Sequence, residues 1–477
     1  MTGSVSSMDE FDVIVIGGGP AGENAASYAI EGSDRTVAMI EHELVGGECS
    51  YWACIPSKAL LRPSEVLGAA RNMPGVWADT LDVNAVLARR DSFTSNHDDS
   101  SQVMWADAQG IDVIRGSARI VGERTVTVDG SRSLRARHAV VVATGTTATI
   151  PDVPGLREAL PWVSRDATNL KEIPRRVAVI GGGVVACESA TWLLDLGVEE
   201  LTMVVRGPRL LSKNEPFAGE LVARSLEQKG ARILFGAALD RVDRSDSRDT
   251  GIGSIHGGPA TLDVAGHDPI VVDEIVVAAG RTPATSELGL DPGLLDSRGY
   301  VVTDDHLTTA NGWLYAVGDV NGRALLTHMG KYQGRVCGDV IAARAESRPV
   351  EGARFQASAD NGQVPQVVFA DPQVAAVGIT EKDARDAGCD VGTVEVDIAV
   401  AGSSLSRDDF SGHAKLVVDR PTDTLVGATF AGTEVAELLH AATVALVGKV
   451  PLETLWHAVP SFPTVSEVWL RLLEERR

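Results

Sequence analysis

Cysteine is scarce. Five in 477 residues are too few for a disulfide-built secreted scaffold, and the count fits thiols kept in a reducing cytosol unless one pair is catalytic. Positive charge is also in deficit. Forty-three Lys and Arg stand against 65 Asp and Glu, a formal net charge of −22. Such a field repels phosphate backbones and anionic headgroups, so neither nucleic acid nor a membrane surface is an expected partner. Long apolar runs are missing too. The longest, such as Val13 to Ile16 and Ala139 to Ala143, have strand length and fall well short of the roughly 20 residues of a spanning helix. The mean hydropathy of +0.04 rules out a multispanning protein. The opening MTGSVSSMDEFD lacks the charged-then-apolar order of a secretory leader, and a cytoplasmic location is expected.

What is there begins with size. At about 100 to 200 residues per domain the chain makes about three domains. From Phe11 to Glu41 it reads FDVIVI, GGGPAG, ENAASYAI and TVAMIE, that is strand, tight turn, helix, strand. A second copy follows, RVAVI leading into GGGVVACESATWLLDLG and then LTMVV. Two such units suggest two dinucleotides. Pro151 to Gly155 and Gly280 to Pro283 mark junctions. From about Val350 no further glycine fingerprint occurs. Strand-like Gln366 to Phe369 and Ala414 to Val418 and a helix-compatible Glu434 to Val447 indicate a separate α+β domain. The polar, Gly-rich Asp240 to Gly258 reads as a mobile loop.

In the first copy Gly17, Gly19 and Gly22 have GxGxxG spacing. The turn must be tight, the backbone must approach a pyrophosphate, and the helix must pack on the strand. The helix N-terminus then offers amide donors and partial positive charge. Glu41 closes the second strand, where a carboxylate accepts hydrogen bonds from a ribose. The bland alternative is a Gly-rich turn without a ligand, which the flanking strand, helix and acid disfavour.

The segment GGECSYWACIPSK, Gly46 to Lys58, carries Cys49 and Cys54. Two unrelated buried thiols are one reading, and a metal site another, although metals prefer closer spacing and further ligands. Five residues along a regular helix would hold the two too far apart for a disulfide, so the chain must bend between them. Pro56 belongs in a first helical turn, which puts Cys54 near a helix N-terminus, where a thiolate is favoured.

Here the sequence resembles the pyridine nucleotide-disulfide oxidoreductases, flavoenzymes that include dihydrolipoamide dehydrogenase, glutathione reductase and mercuric reductase. The residues that carry the likeness are GGxCxxxxCIPSK, VVATG at Val141 to Gly145, the second fingerprint, AAGRTP at Ala278 to Pro283 and LYAVGD at Leu314 to Asp319. The resemblance implies an α/β fold of two Rossmann-like dinucleotide-binding domains and a C-terminal α+β dimerisation domain. Its segments would be 9–155 and 284–350 for FAD, 156–283 for NAD(P) and 351–477 for the interface. FAD would contact Gly17, Gly19, Gly22, Glu41, Gly47, Thr144, Gly145 and Asp319, with Arg281 in the same cofactor set. Cys54 would face the flavin and Cys49 the substrate as a redox-active disulfide, Lys58 would pair with Glu188 near the flavin's reactive nitrogen, and a homodimer would form. An ordinary surface ion pair is the alternative for Lys58 and Glu188.

The second fingerprint has Gly181 and Gly183 followed by Ala186, and its next strand ends in VVRGPR with Arg206 and Arg209. An acid there would repel a 2'-phosphate, whereas guanidinium groups bind one, so NADPH is favoured, with NADH the alternative. Val184 stands where many relatives have a tyrosine covering the nicotinamide pocket.

Disulfide-reducing members end in HPTxxE, donated across the dimer. This chain has SFPTVSE: Pro463, Thr464 and Glu467 match, and Phe462 replaces the histidine. Phenylalanine neither donates nor accepts the proton that a departing thiolate needs. In 2-ketopropyl coenzyme M oxidoreductase/carboxylase a phenylalanine at this place is thought to exclude protons, but the glutamate also differs there. His457, His328 and His440 are candidates for a substitute acid. The expected enzyme passes electrons from NAD(P)H through flavin to Cys49 and Cys54 and on to a small-molecule acceptor. That acceptor is one needing no enzymic acid, or a quinone-like or metal acceptor taking electrons from flavin. A conventional thiol-disulfide reductase and a non-catalytic flavin-binding scaffold are the alternatives. Cys187, Cys337 and Cys389 read as free thiols, and no metal site is expected.

Overall fold

The computed structural model describes residues 8–476. Residues 1–7, which hold most of the polar opening that lacks a leader's pattern, and residue 477 lie outside the described residues. The helices that carry or support the site are α1 (Pro20–Ile30), α2 (Gly47–Tyr51), α3 (Cys54–Arg71), α4 (Val184–Asp195), α5 (Thr327–Ala345) and α6 (Glu467–Glu475). Two compact units divide the chain. One takes the chain up to Cys54, Thr94–Thr147 and Arg281–Asn361. The other takes Ile55–Phe93, Ala148–Gly280 and the chain from Gly362 on.

The first unit is built on parallel strands ordered Ile111–Arg115, Val37–Glu41, Asp9–Ile16, Arg132–Val142, with Leu314–Ala316 beside the last. A hairpin of Ala118–Gly122 and Thr125–Val128 extends the same sheet antiparallel. Helices cover parallel strands on both faces, so such strands are apolar throughout rather than alternating. Val13, Ile14 and Val15 accordingly have no exposed surface. Against this sheet α1 and α5 pack through a row of glycines. An added Cβ at Gly330 would stand 3.3 Å from Ala21 Cβ, at Gly334 2.5 Å from the Ala21 carbonyl oxygen, and at Gly338 2.5 Å from Tyr28 Cβ. Every fourth residue of α5 therefore lacks a side chain where α1 crosses it.

In the second unit four parallel strands run in the order Ala231–Phe235, Glu200–Val205, Arg176–Ile180, Glu274–Val277. Trp162 and Trp192 are buried in the core of this nucleotide fold. Asp240 to Gly258, expected as a loop, is corrected in part: Leu239–Arg244 is a strand paired antiparallel to Ala260–Val264. The remainder is pinned, with Trp162 Nε1 donating to the Ser254 carbonyl at 2.9 Å and the Ile255 N–H to Glu172 at 2.9 Å. The C-terminal part is a five-stranded antiparallel sheet ordered Pro365–Val368, Gln373–Gly378, Thr424–Gly432, Gly412–Asp419, Val391–Asp397. The helix expected from Glu434 begins later, at Leu439, because Glu434 takes a left-handed conformation and Val435–Leu438 forms a 3-10 turn. This is the expected α/β architecture with a C-terminal α+β region. Among the described residues no helix is long and apolar enough to cross a membrane.

The glycine row yields a stability prediction. Gly334→Ala should lower the unfolding free energy by about 1–3 kcal/mol, the usual cost of overpacking. Gly122→Ala, whose nearest neighbour would lie at 4.0 Å, should stay within about 0.5 kcal/mol. Equal denaturation midpoints for the two variants would refute the account.

Candidate active site

The first dinucleotide turn is shaped by what its glycines omit. Gly17 has φ +108°, and a Cβ on it would lie 2.4 Å from the Ala143 carbonyl oxygen; one on Gly22 would lie 2.0 Å from the Gly17 carbonyl oxygen. Gly47, at φ +58°, comes so near the turn that its Cβ would lie 2.8 Å from Gly19 Cα. Glu41 is buried, and its carboxylate accepts the Gly18 and Glu43 N–H groups, each at 2.7 Å. It therefore fixes the turn itself while keeping lone pairs for a ribose. Pro20 opens α1 just after this turn, with Gly19 at the cap, so the orphan amides of the helix face the space that the glycines leave clear. These residues fit a bound dinucleotide such as FAD.

Around it the other predicted residues fall together. Thr144 donates its hydroxyl to the Ala284 carbonyl at 2.8 Å, and Gly145 accepts the Ala284 N–H at 3.1 Å. Asp319 accepts a hydrogen bond from Thr146 Oγ1 at 2.9 Å. Burial raises the pKa of Asp319, while the Thr146 hydroxyl and Arg281 pull it back. Arg281 binds the Thr146 carbonyl at 2.6 Å and forms an ion pair with Glu48. Thr146 and Gln333, which accepts the Gly318 N–H at 2.8 Å, organise this corner but belong to no motif.

The cysteines lie where the chain leaves α2, bends at Trp52 and Ala53, and enters α3 at Cys54. Cys54 thus sits at a helix N-terminus, as expected. Its sulfur lies 3.2 Å from Thr327 Oγ1, on the first residue of α5. Cys49 hydrogen-bonds to Cys54, and that bond together with burial raises its pKa, whereas Thr327 and Lys331 lower it. No S–S bond joins the two sulfurs in this structure. Trp52 is stacked on His97, ring centroids 4.3 Å apart and planes 18° apart. His97 ends a turn in which Ser95, Asn96 and His97 all have left-handed φ, between 50° and 60°. Nothing in its spacing from the cysteines announces this histidine, and sequence reasoning missed it.

In the second unit Lys58 Nζ on α3 lies 2.8 Å and 3.1 Å from the two carboxylate oxygens of Glu188 on α4. Glu188 is only 4% exposed and also accepts the Phe369 N–H at 2.9 Å. Lys58 Nζ stands 4.9 Å from the Phe369 ring centroid. This is no ordinary surface pair. Gly181 repeats the geometry of Gly17: φ is +131°, and a Cβ would lie 2.4 Å from the Ala278 carbonyl oxygen. Gly183 caps α4, Val184 is its half-buried first residue, and Ala186 is buried. Arg206 is exposed, whereas Arg209 donates to the Ser212 and Asn214 carbonyls at 2.7 and 2.8 Å.

Phe462 is 76% exposed. Glu467 opens α6, is buried, and pairs with Arg471 at 3.2 Å. His328, His440 and His457 are exposed, and of these only His328 shares a unit with the cysteines. Among the described residues no cluster of His, Cys, Asp and Glu could hold a metal ion.

Two glycine-shaped dinucleotide turns, a cysteine pair at the head of a helix and a separate antiparallel sheet define a flavin-dependent oxidoreductase. The chain belongs to the pyridine nucleotide-disulphide oxidoreductases: residues 11–334 match that family and residues 364–472 match its dimerisation domain. Its members are FAD-dependent and draw electrons from NAD(P)H. The chain is 30% identical over 465 residues to a mercuric reductase of Staphylococcus aureus, covering 96% of this chain and 81% of that one. It is 32% identical over 469 residues to a dihydrolipoyl dehydrogenase of Chlorobaculum tepidum, covering 96% and 95%. A solved structure, the Cu(II) complex of the HOCl-induced flavoprotein disulfide reductase RclA from Escherichia coli, superposes with a TM-score of 0.81. It has 24% identity, with 98% and 99% of the two chains covered, and supports the fold.

The turn gives a direct test. Gly17→Ala should purify without flavin absorbance near the visible maximum, since the turn cannot close around a Cβ; a variant retaining the full visible spectrum would overturn the cradle.

Proposed function

We propose that this chain is an NADPH-dependent flavoenzyme that hands electron pairs to the Cys49 and Cys54 couple and from there to a small-molecule acceptor, without an imidazole acid at position 462. The observation that carries the reading is Cys54 at the head of α3, its sulfur hydrogen-bonded to Thr327 and Cys49, in the same unit as a turn cleared for a dinucleotide. FAD, when bound at this turn, would supply two-electron redox chemistry between the nicotinamide and the sulfurs. The protein's own part is positional. Gly17, Gly19, Gly22 and Gly47 admit the pyrophosphate, Glu41 and Asp319 hold hydroxyl groups, and the N-terminus of α3 favours a thiolate on Cys54. Cys49 is the thiol that meets the acceptor. Lys58, fixed by the buried Glu188, is the cation assigned to the flavin's reactive nitrogen.

Arg206, exposed at the end of its strand, is the group assigned to a 2'-phosphate, because Arg209 is already engaged with carbonyls. The C-terminal segment completes the site of a second copy. The outward-facing Val459 and Phe462, 80% and 76% exposed, fit burial in such a homodimer. The four-segment division into FAD, NADPH and interface parts, and a cytoplasmic location, belong to the same reading. The acceptor is a compound whose reduction asks no proton of residue 462; a quinone-like or metal acceptor would instead take electrons from the flavin directly. A conventional disulfide reductase is the second reading, favoured by the retained Glu467.

Phe462→His separates them. With NADPH and lipoamide or glutathione disulfide, the variant should gain at least about tenfold in turnover, within the usual range of general acid catalysis; no gain would sink the proton-donor argument. Cys54→Ser should abolish turnover with every acceptor that draws on the dithiol, and unchanged rates throughout would remove the sulfurs from the pathway. Arg206→Glu should lower kcat/KM for NADPH relative to NADH by about tenfold or more, since a bidentate charged contact is replaced by repulsion. An unaltered ratio would transfer selectivity elsewhere.

A further inference from the structure

Cys54 opens α3, and Thr327 is the first residue of α5. Their side chains meet, with Thr327 Oγ1 3.2 Å from Cys54 Sγ. The sulfur therefore lies at the head of one helix and in hydrogen-bond contact with the first residue of another, and such ends carry partial positive charge. The start of α5 is firmly held. The Gly330 N–H donates to the Leu326 carbonyl at 2.9 Å and closes the first turn, while Gln333, one turn further on, accepts the Gly318 N–H at 2.8 Å. Gly330 itself packs so closely that an added Cβ would lie 3.3 Å from Ala21 Cβ on α1 and 3.4 Å from Gly318 Cα. The glycine contacts that seat α5 on α1 thus also place the Thr327 hydroxyl.

A hydroxyl serves a sulfur differently in its two protonation states. From a thiol it accepts a weak S–H bond, whereas to a thiolate it donates a charge-assisted one. A partner that bonds the charged form better lowers the pKa. Cys49 acts to the same end, because its hydrogen bond to Cys54 and its burial keep its own proton on. Two adjacent thiolates repel, so the couple carries its first charge on Cys54.

We propose that Thr327 is a positioning residue that holds the negative charge of the reduced couple on Cys54 by donating its hydroxyl hydrogen to that sulfur. This rests on the reading that the dithiol carries the electrons. A hydride equivalent from NADPH, two electrons and a proton, converts a Cys49–Cys54 disulfide into one thiol and one thiolate: the S–S bond breaks, the proton goes to Cys49 and the charge stays on Cys54. Position 462 offers no imidazolium to share that charge. Thr327 supplies the stabilisation from within the subunit. The charged and titratable groups on the elements that meet at the sulfur are Glu48, Cys49 and Tyr51 on α2, Lys58 on α3, and His328 and Lys331 on α5. Glu48 pairs with Arg281, Lys58 pairs with Glu188, and Tyr51 donates to the Val45 carbonyl at 3.0 Å. Thr327 reaches the Cys54 sulfur itself.

The test isolates that sulfur. In FAD-loaded Cys49→Ser enzyme no disulfide can form, and Cys54 titrates as a single thiol beside oxidised flavin. Its ionisation is followed across pH by thiolate-to-flavin charge-transfer absorbance, and by ultraviolet thiolate absorbance taken as the difference from a Cys49→Ser/Cys54→Ser double variant. Adding Thr327→Val should raise the midpoint of both signals by about one unit, a tenfold smaller thiolate-to-thiol ratio at fixed pH, and Thr327→Ser should restore it. Titrations that coincide with and without Thr327→Val would overturn the proposal, as would Thr327→Ser titrating together with Thr327→Val. Should Thr327→Val fail to fold, Thr327→Ala is read in the same way. Absence of charge-transfer absorbance at every pH would defeat the functional reading, which sets Cys54 against the flavin, while the ultraviolet titration still judges Thr327.

Discussion

Where the first central strand ends, the backbone passes so near the Ala143 carbonyl that a single added carbon at Gly17 would lie 2.4 Å from its oxygen. The rest of the cradle depends on that close approach. It turns the chain sharply enough for α1 to start at Pro20, aims the unpaired amides of α1 at open space, and lets Gly18 hang on the Glu41 carboxylate. The same device recurs at Gly181 against Ala278. A dinucleotide cradle in this protein is thus a steric clearing first and a charge pattern second.

Charge enters through a few placed cations. The chain as a whole is strongly acidic, with a net charge of −22, yet each functional corner has its own basic group. Arg281 anchors Glu48 and Thr146, and Lys58 neutralises a carboxylate buried at the foot of Phe369. Removing one partner of a buried pair strands the other in low dielectric. Glu188 therefore depends more on Lys58 than Lys58, which is partly exposed, depends on Glu188.

Much of the site is legible in the sequence because its chemistry is local there. Glycine spacing, the cysteines with Pro56 just beyond them, and the basic strand end each declare their purpose within a few residues. Hidden from such a reading is whatever the topology assembles from afar. Thr327 reaches Cys54, Thr146 reaches Asp319, and His97 reaches Trp52 only after the sheet is formed. Leu239–Arg244 reads as loop because its outward residues are charged and its apolar positions few, a pattern that a short antiparallel pairing tolerates. The helix expected from Glu434 starts at Leu439 because a left-handed residue and a 3-10 turn intervene, which composition does not reveal.

His97 lies on Trp52 at a conformational cost. Three successive left-handed residues cost on the order of 1 kcal/mol each, and the turn they form lays an imidazole flat on the indole that bridges α2 and α3. The stack fastens Trp52, in the bend between the two cysteines, to that turn, an attachment worth about 0.5–1.5 kcal/mol beyond buried area. The bend between Cys49 and Cys54 is thereby tied to a distant loop, so a change at Ser95 or Asn96 would reach it without touching either cysteine.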